Sequence, residues 1–146
     1  MEPTPTARLP VLPDWGSLAQ LQREVGLLLG RHGVASEVGF AIELAVEELV
    51  SNVIRHGSDG ARKPRIEVSL TITSDEVTVV IEDDAPAFDP LSAPPPDFDL
   101  PIEERPIGGL GLHLVRQLSH ELAYRRAGGR NVVEIRFDRA GTPDTP

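Results

Sequence analysis

The chain has 146 residues, 40% hydrophobic and 25% charged, which suits one domain with its own apolar core and leaves no room for two. Its formal net charge of −9 argues against a primary role in binding nucleic acid, where cationic side chains must neutralise phosphate; it fits plain solubility or a basic protein partner. The absence of cysteine excludes disulfides and thiolate metal sites.

No apolar run approaches the ~18 residues needed to span a membrane. The start, Met1-Glu2-Pro3-Thr4-Pro5-Thr6, lacks the basic and apolar parts of a signal peptide. A cytoplasmic protein is expected. Residues 1–16 are rich in proline and are expected to be flexible, with Arg8-Leu9-Pro10-Val11-Leu12 as a short strand that Pro10 confines to a sheet edge.

Ser17 reads as the N-cap of a first helix carrying Leu18, Leu21, Val25, Leu28 and Leu29 at helical spacing, with Gly30 and Gly33 bracketing its end. A second helix opens near Ser36 and runs to His56, its apolar side made by Ile42, Ala45, Val46, Leu49, Val50 and Val53; Gly57 is its stop signal. Glu48, Asn52 and His56 recur every four residues, so they share one stripe of that helix. A solvated face is the ordinary explanation of such a stripe. The chemistry also suits a site: an amide oxygen is a ligand for a hard cation such as Mg²⁺, and a carboxylate one turn away is placed to act as a general base.

Residues 65–73 alternate, with Ile66, Val68, Leu70 and Ile72 on one face, and predict a half-buried strand. Ser74-Asp75 is the turn to a partner strand over Val77–Asp83. The inward set Val77, Val79, Ile81 continues in parity to Asp83, so the pattern directs a carboxylate towards the interior, where it needs donors from the backbone or from a ligand. Residues 84–107 hold seven prolines and no regular period; a loop of that length within a domain marks function or mobility. It ends at Gly108-Gly109-Leu110-Gly111, where an apolar helical pattern of Leu110, Leu114, Val115 and Leu118 begins. A glycine-rich entry to a helix offers amide donors and a favourable dipole to an anion. It is neither a P-loop, since no Gly-Lys-Ser/Thr follows, nor a Rossmann fingerprint, since no strand precedes it. A second hairpin follows, Leu122–Ala127 and Val132–Phe137 around Gly128-Gly129, and then a polar tail, 139–146, expected to be disordered.

Taken in order, these features describe a nucleotide site, and they carry a resemblance. From about Leu18 to Phe137 the chain resembles the GHKL (Bergerat-fold) ATPase superfamily, and within it the small anti-sigma-factor serine kinases. Glu48-Leu49-Val50-Ser51-Asn52-Val53-Ile54-Arg55-His56-Gly57 matches the N-box, and Phe88-Asp89-Pro90 is typical of the start of the family's lid. The resemblance implies a two-layer α/β sandwich: a mixed, mostly antiparallel sheet covered on one face by three helices. It implies a kinase domain over 17–138 with an ATP lid over 84–107.

It further implies that Asn52 is the Mg²⁺ ligand, Glu48 the catalytic base, and Asp83 the reader of adenine. Ala85 and Ala87 would line the base, and Gly109, Leu110, Gly111 and Leu112 would lie at the phosphates. One departure stands out: the Asp-x-Gly-x-Gly pattern of the superfamily is Asp83-Asp84-Ala85-Pro86-Ala87 here, which adds two methyl groups at the base pocket. The implied activity is an ATP- and Mg²⁺-dependent serine-protein kinase that sequesters a sigma factor and phosphorylates an anti-anti-sigma antagonist, as a homodimer, without contact to nucleic acid or membrane. The alternative is a sequestering module that binds ATP weakly or not at all. The ATP domain of a sensor histidine kinase is disfavoured, because no helical domain with a phosphoacceptor histidine accompanies it. Arg116 reads as a solvated arginine before a phosphate or partner contact, and His56 stays open between a site residue and a histidine that stabilises the helix end.

Overall fold

The architecture is taken from a computed structural model that describes residues 4–57, 62–92, 99, 101 and 110–141. In chain order it holds strand β1 (Ala7–Val11), helices α1 (Trp15–Arg31) and α2 (Ser36–His56), strands β2 (Ile66–Ile72) and β3 (Glu76–Asp83), a 3-10 turn (Pro90–Ser92), helix α3 (Leu110–Leu118), and strands β4 (Glu121–Ala127) and β5 (Arg130–Asp138). The five strands form one sheet in the order β1-β2-β3-β5-β4. Every pairing is antiparallel, so the expected two-layer α/β sandwich holds and its sheet is fully antiparallel. β1 is the edge strand that Pro10 foreshadowed: Pro10 sits opposite Glu67.

One face of the sheet meets the helices. Ile66, Val68 and Leu70 of β2, Val77, Val79 and Ile81 of β3, and Val133, Ile135 and Phe137 of β5 form one cluster with Leu18, Leu21, Val25 and Leu29 of α1. α2 adds Ala41, Ile42, Ala45, Val46, Leu49 and Val50, and α3 adds Leu112 and Val115. The period-2 strand pattern and the 3.6-residue helix pattern thus interlock in a single apolar layer.

Three expectations are corrected. α1 starts at Trp15, and its N-cap is Asp14, whose carboxylate accepts from the amide of Ser17 at 2.7 Å; Asp and Ser serve equally well as caps, and the cap fell on the earlier of the two. Gly57 closes α2 as expected, here without a left-handed turn (φ −84°, ψ −11°), and donates its N–H to the Val53 carbonyl. The start of the proline-rich segment is not wholly irregular, because Pro90–Ser92 form a turn of 3-10 helix. The polar tail is ordered through Gly141: Arg139 donates from Nη1 to the Thr73 carbonyl at 2.8 Å and from Nη2 to that of His32. The expected disorder of 142–146 and most of the expected lid lie outside the described residues.

Candidate nucleotide site

α2 is long because its sequence is free of glycine and proline between Phe40 and His56, and it runs with a fully buried stripe along its length. Its C-terminal turn meets the end of β3 across a cavity of about 180 Å³. Leu49, Asn52, Val53, His56 and Gly57 line one side, and Ile81, Asp83, Ala85, Asn131 and Val133 the other, with Pro86, Ala87, Phe88 and Pro90 at the rim. Residues 31 positions apart in sequence, Asn52 and Asp83, therefore face one space. Glu48 lies one turn, about 6 Å, further along α2. There α3 begins: a methyl placed on Gly111 would come within 3.7 Å of a Glu48 carboxylate oxygen and 4.0 Å of the Leu44 carbonyl, ordinary contact distances.

Asp83 is buried. Its Oδ1 accepts from the Asn131 Nδ2 at 2.9 Å and from the Ala85 amide at 3.1 Å. Among the described residues both of its hydrogen bonds fall on that oxygen, so Oδ2 is the acceptor they do not take up, on a residue that lines the cavity. Desolvation raises its pKa above the usual carboxylate value; the bonds from Asn131 and Ala85 and the charge of Arg126 pull the other way without cancelling it, and the neighbouring Asp84 adds to the rise. Asp84 serves the opposite side of the segment, where it accepts from the Arg65 amide at 2.6 Å and pairs with Arg62.

The departure at Ala85 has a physical accommodation. No residue other than glycine among those described has positive φ, so neither Ala85 nor Ala87 is strained by its side chain. The Ala85 methyl packs against Gly57, where a Cβ would meet it at 3.2 Å and the Val53 carbonyl oxygen at 2.5 Å. Gly57 is required for closeness, and it makes the space that alanine at 85 occupies.

The remaining expected residues divide. Gly109 lies outside the described residues. Leu110 and Gly111 form the first turn of α3. Leu112 points its side chain into the core, so it can meet a ligand only through its backbone. The reading of Arg116 as solvated is corrected: its Nη2 donates to the Leu91 carbonyl at 2.7 Å and ties α3 to the 3-10 turn. His56 faces the cavity, with its ring centroid 6.4 Å from that of Phe88.

Sequence reasoning missed Asn131, Arg126 and Tyr124. Asn131 is opposite Asp83 in the β3–β5 register and so shares its face; its signal is present only once that register is known. Arg126 donates to the Ala85 carbonyl at 2.8 Å.

The model of the histidine kinase-like ATPase domain matches residues 11–137. The chain belongs to that family. Within it, the chain takes its place among the serine-protein kinases of the anti-sigma type, as the N-box resemblance implied. It is similar to the serine/threonine-protein kinase BtrW of Bordetella bronchiseptica, at 30% identity over 101 residues that cover 69% of this chain and 71% of that one. It is similar to the serine-protein kinase RsbW of Listeria monocytogenes, at 29% identity over 142 residues covering 90% and 85%. In three dimensions it matches a Mycobacterium tuberculosis chain comprising RsbU and RsbW domains, with a TM-score of 0.63 and 17% identity, over 96% of this chain and 34% of that one. This chain thus spans about a third of that two-domain chain, and the likeness speaks to the fold.

Proposed function

We propose that this chain is an ATP- and Mg²⁺-dependent serine-protein kinase that sequesters a sigma factor in one state and, in another, phosphorylates an antagonist protein on serine. The observation that carries the reading is the convergence of Asn52 and Asp83 on one cavity, with Glu48 a turn beyond at the start of α3. The family and the two kinase relatives support it.

The donor set suits the cofactors. The Asp83 carboxylate is an acceptor in the lining of a mostly apolar cavity, which matches the 6-amino group of adenine. Asn52 offers one amide oxygen, a hard donor of the kind that suits Mg²⁺, which takes most of its ligands from phosphate and water. When bound, Mg²⁺ supplies charge neutralisation at the phosphate oxygens.

The protein's own part is positioning and proton transfer. Asp83 orients the base, and Asn52 fixes the distance from base to phosphates. Glu48 accepts the proton of the substrate serine hydroxyl as the serine oxygen bonds to the γ-phosphorus and the bond to the leaving ADP oxygen breaks. The amides of the first turn of α3 would serve the phosphates, since the dipole at a helix N-terminus favours negative charge.

The test is a calorimetric titration with Mg-ATP, followed by incubation with candidate antagonists and γ-labelled ATP. Label on an antagonist serine is expected. Tight partner binding without label would replace the kinase reading with a sequestering module.

A further inference from the structure

Asn131 is 4% exposed, and all the hydrogen-bonding capacity of its side chain is in use. Nδ2 donates to Asp83 Oδ1 at 2.9 Å, to the Pro86 carbonyl at 3.1 Å and to the Ala85 carbonyl at 3.4 Å. Oδ1 accepts from the Phe88 amide at 3.2 Å and from the Tyr124 hydroxyl at 2.7 Å. An amide has two N–H donors and two acceptor lone pairs, so none remains for a ligand. Its orientation is dictated by the backbone. The carbonyls of residues 85 and 86 accept only, and the amide of Phe88 donates only; turning the side chain over would set two acceptors against Oδ1 and a donor against Nδ2.

This arrangement has a consequence for recognition. Because Nδ2 faces Asp83, Oδ1 of that carboxylate is committed, and Oδ2 is the acceptor left over on a residue that lines the cavity. The same amide, itself in the cavity lining, shows the ligand no donor. A 6-amino purine finds its complement there. A 6-oxo purine in the same pose sets its carbonyl oxygen against the Asp83 carboxylate, and the committed Asn131 amide has no N–H left to receive it; a site that leaves buried polar groups unmatched discriminates strongly. Four backbone groups between Ala85 and Phe88 also take their position from Asn131 or from Asp83 beside it. The floor of the base pocket is therefore assembled before any nucleotide arrives.

We propose that Asn131 is a positioning residue that sets base selectivity, holding Asp83 so that the pocket accepts adenine and rejects hypoxanthine and guanine. The inference rests on the nucleotide-binding reading above and adds to it the residue responsible for selectivity. Arg126 and Tyr124 hold the same segment from β4, but neither bonds to the Asp83 carboxylate.

The test compares Mg-ATP and Mg-ITP binding by calorimetry in the full chain, in Asn131→Asp and in Asn131→Ala. The wild type is expected to prefer ATP, and the preference is expected to fall at least about tenfold in Asn131→Ala, because loss of a charge-assisted bond costs about 1.5–3 kcal/mol. A residue with only a structural role would weaken both nucleotides equally. Asn131→Asp sets two carboxylates together, so one proton is held between them on acidification. ATP binding by this variant is expected to be weak at pH 8 and to recover towards pH 6, whereas wild-type binding falls as Asp83 takes up its proton. If Asn131→Asp does not fold at pH 8, the ATP/ITP ratio of Asn131→Ala decides alone. An unchanged ratio in a wild type that binds ATP overturns the role of Asn131. A wild type that binds neither nucleotide overturns the nucleotide reading itself, and this inference with it.

Discussion

The two ends of the site are built by different means. At the base end, the strand termini at Asp83 and Asn131 and the segment 84–88 are joined by a dense set of bonds that reaches from β3 across to β4. At the phosphate end, Glu48 and Asn52 owe their relation to one helical turn of α2, and Gly111 owes its place to the packing of α3 alongside. On the proposed reading, the base end is tertiary and would fix which base fits, and the phosphate end is local and would fix where charge and a general base stand. Recognition would then be exposed to changes anywhere in a network, and chemistry to changes at single positions.

The largest effect is expected from breaking the local end. Asn52→Ala should abolish Mg-ATP binding, and calorimetric affinity equal to that of the wild type would remove Asn52 from the metal. Next, Glu48→Ala should leave ATP affinity nearly unchanged while label transfer to serine falls by about 10²–10⁴-fold, the usual contribution of a general base; full transfer in single-turnover assays would remove Glu48 from that role.

A smaller effect is expected at the base end. Asp83→Asn keeps an oxygen for Asn131 and Ala85 but turns an N–H towards the cavity, so ATP should bind about 10–100-fold more weakly, the worth of one charge-assisted hydrogen bond, and ITP should lose less. The same variant tests the electrostatics. The Asp83 pKa is raised in the folded chain, so its neutral form favours the ligand-free fold at low pH. That contribution is present below the unfolded carboxylate pKa and is lost as pH rises through the raised value. The thermal midpoint of ligand-free Asp83→Asn should therefore gain on the wild type as pH rises through that interval, whereas parallel pH profiles would show that burial does not act on this carboxyl.

The smallest effect is structural and joins the two ends. Gly57→Ala places a methyl against the Val53 carbonyl and the Ala85 methyl, and overpacking of this kind costs about 1–3 kcal/mol. Its melting temperature should fall, and Gly57→Ala combined with Ala85→Gly should recover part of the loss. Equal losses in the single and double variants would separate the two positions.

What was legible in the sequence follows the same division. The alternation of β2 and β3 carried Asp83 inward by parity alone, and the i, i+4 stripe of α2 put Glu48 and Asn52 on one side. These are short-range regularities, and the side-chain period of a strand or helix is enough to read them. Asn131 was not legible. It follows Gly-Gly-Arg at a turn and looks like turn chemistry, and only the pairing of β5 with β3 places it beside Asp83. Arg116 was read as solvated because most arginines are, and Arg139 as the start of a disordered tail; each instead reaches carbonyls of a segment remote in sequence, at Leu91 for the first and at His32 and Thr73 for the second. Asp14 and Ser17 show the finer limit: two good caps three residues apart, decided by which fits the turn leaving β1.

Arg139 has a practical side. Its guanidinium joins the last turn of α1 to the β2–β3 hairpin, its own amide donates to the Asp75 carbonyl at 2.9 Å, and its carbonyl accepts from Ala35 at the threshold of α2. Trimming the gene to the last residue of β5 would cut this knot and loosen the far corner of the domain from the nucleotide, so an expression boundary belongs after Gly141. A fusion partner grafted directly onto Asp138 would press on the same corner and should be kept away from it by a spacer.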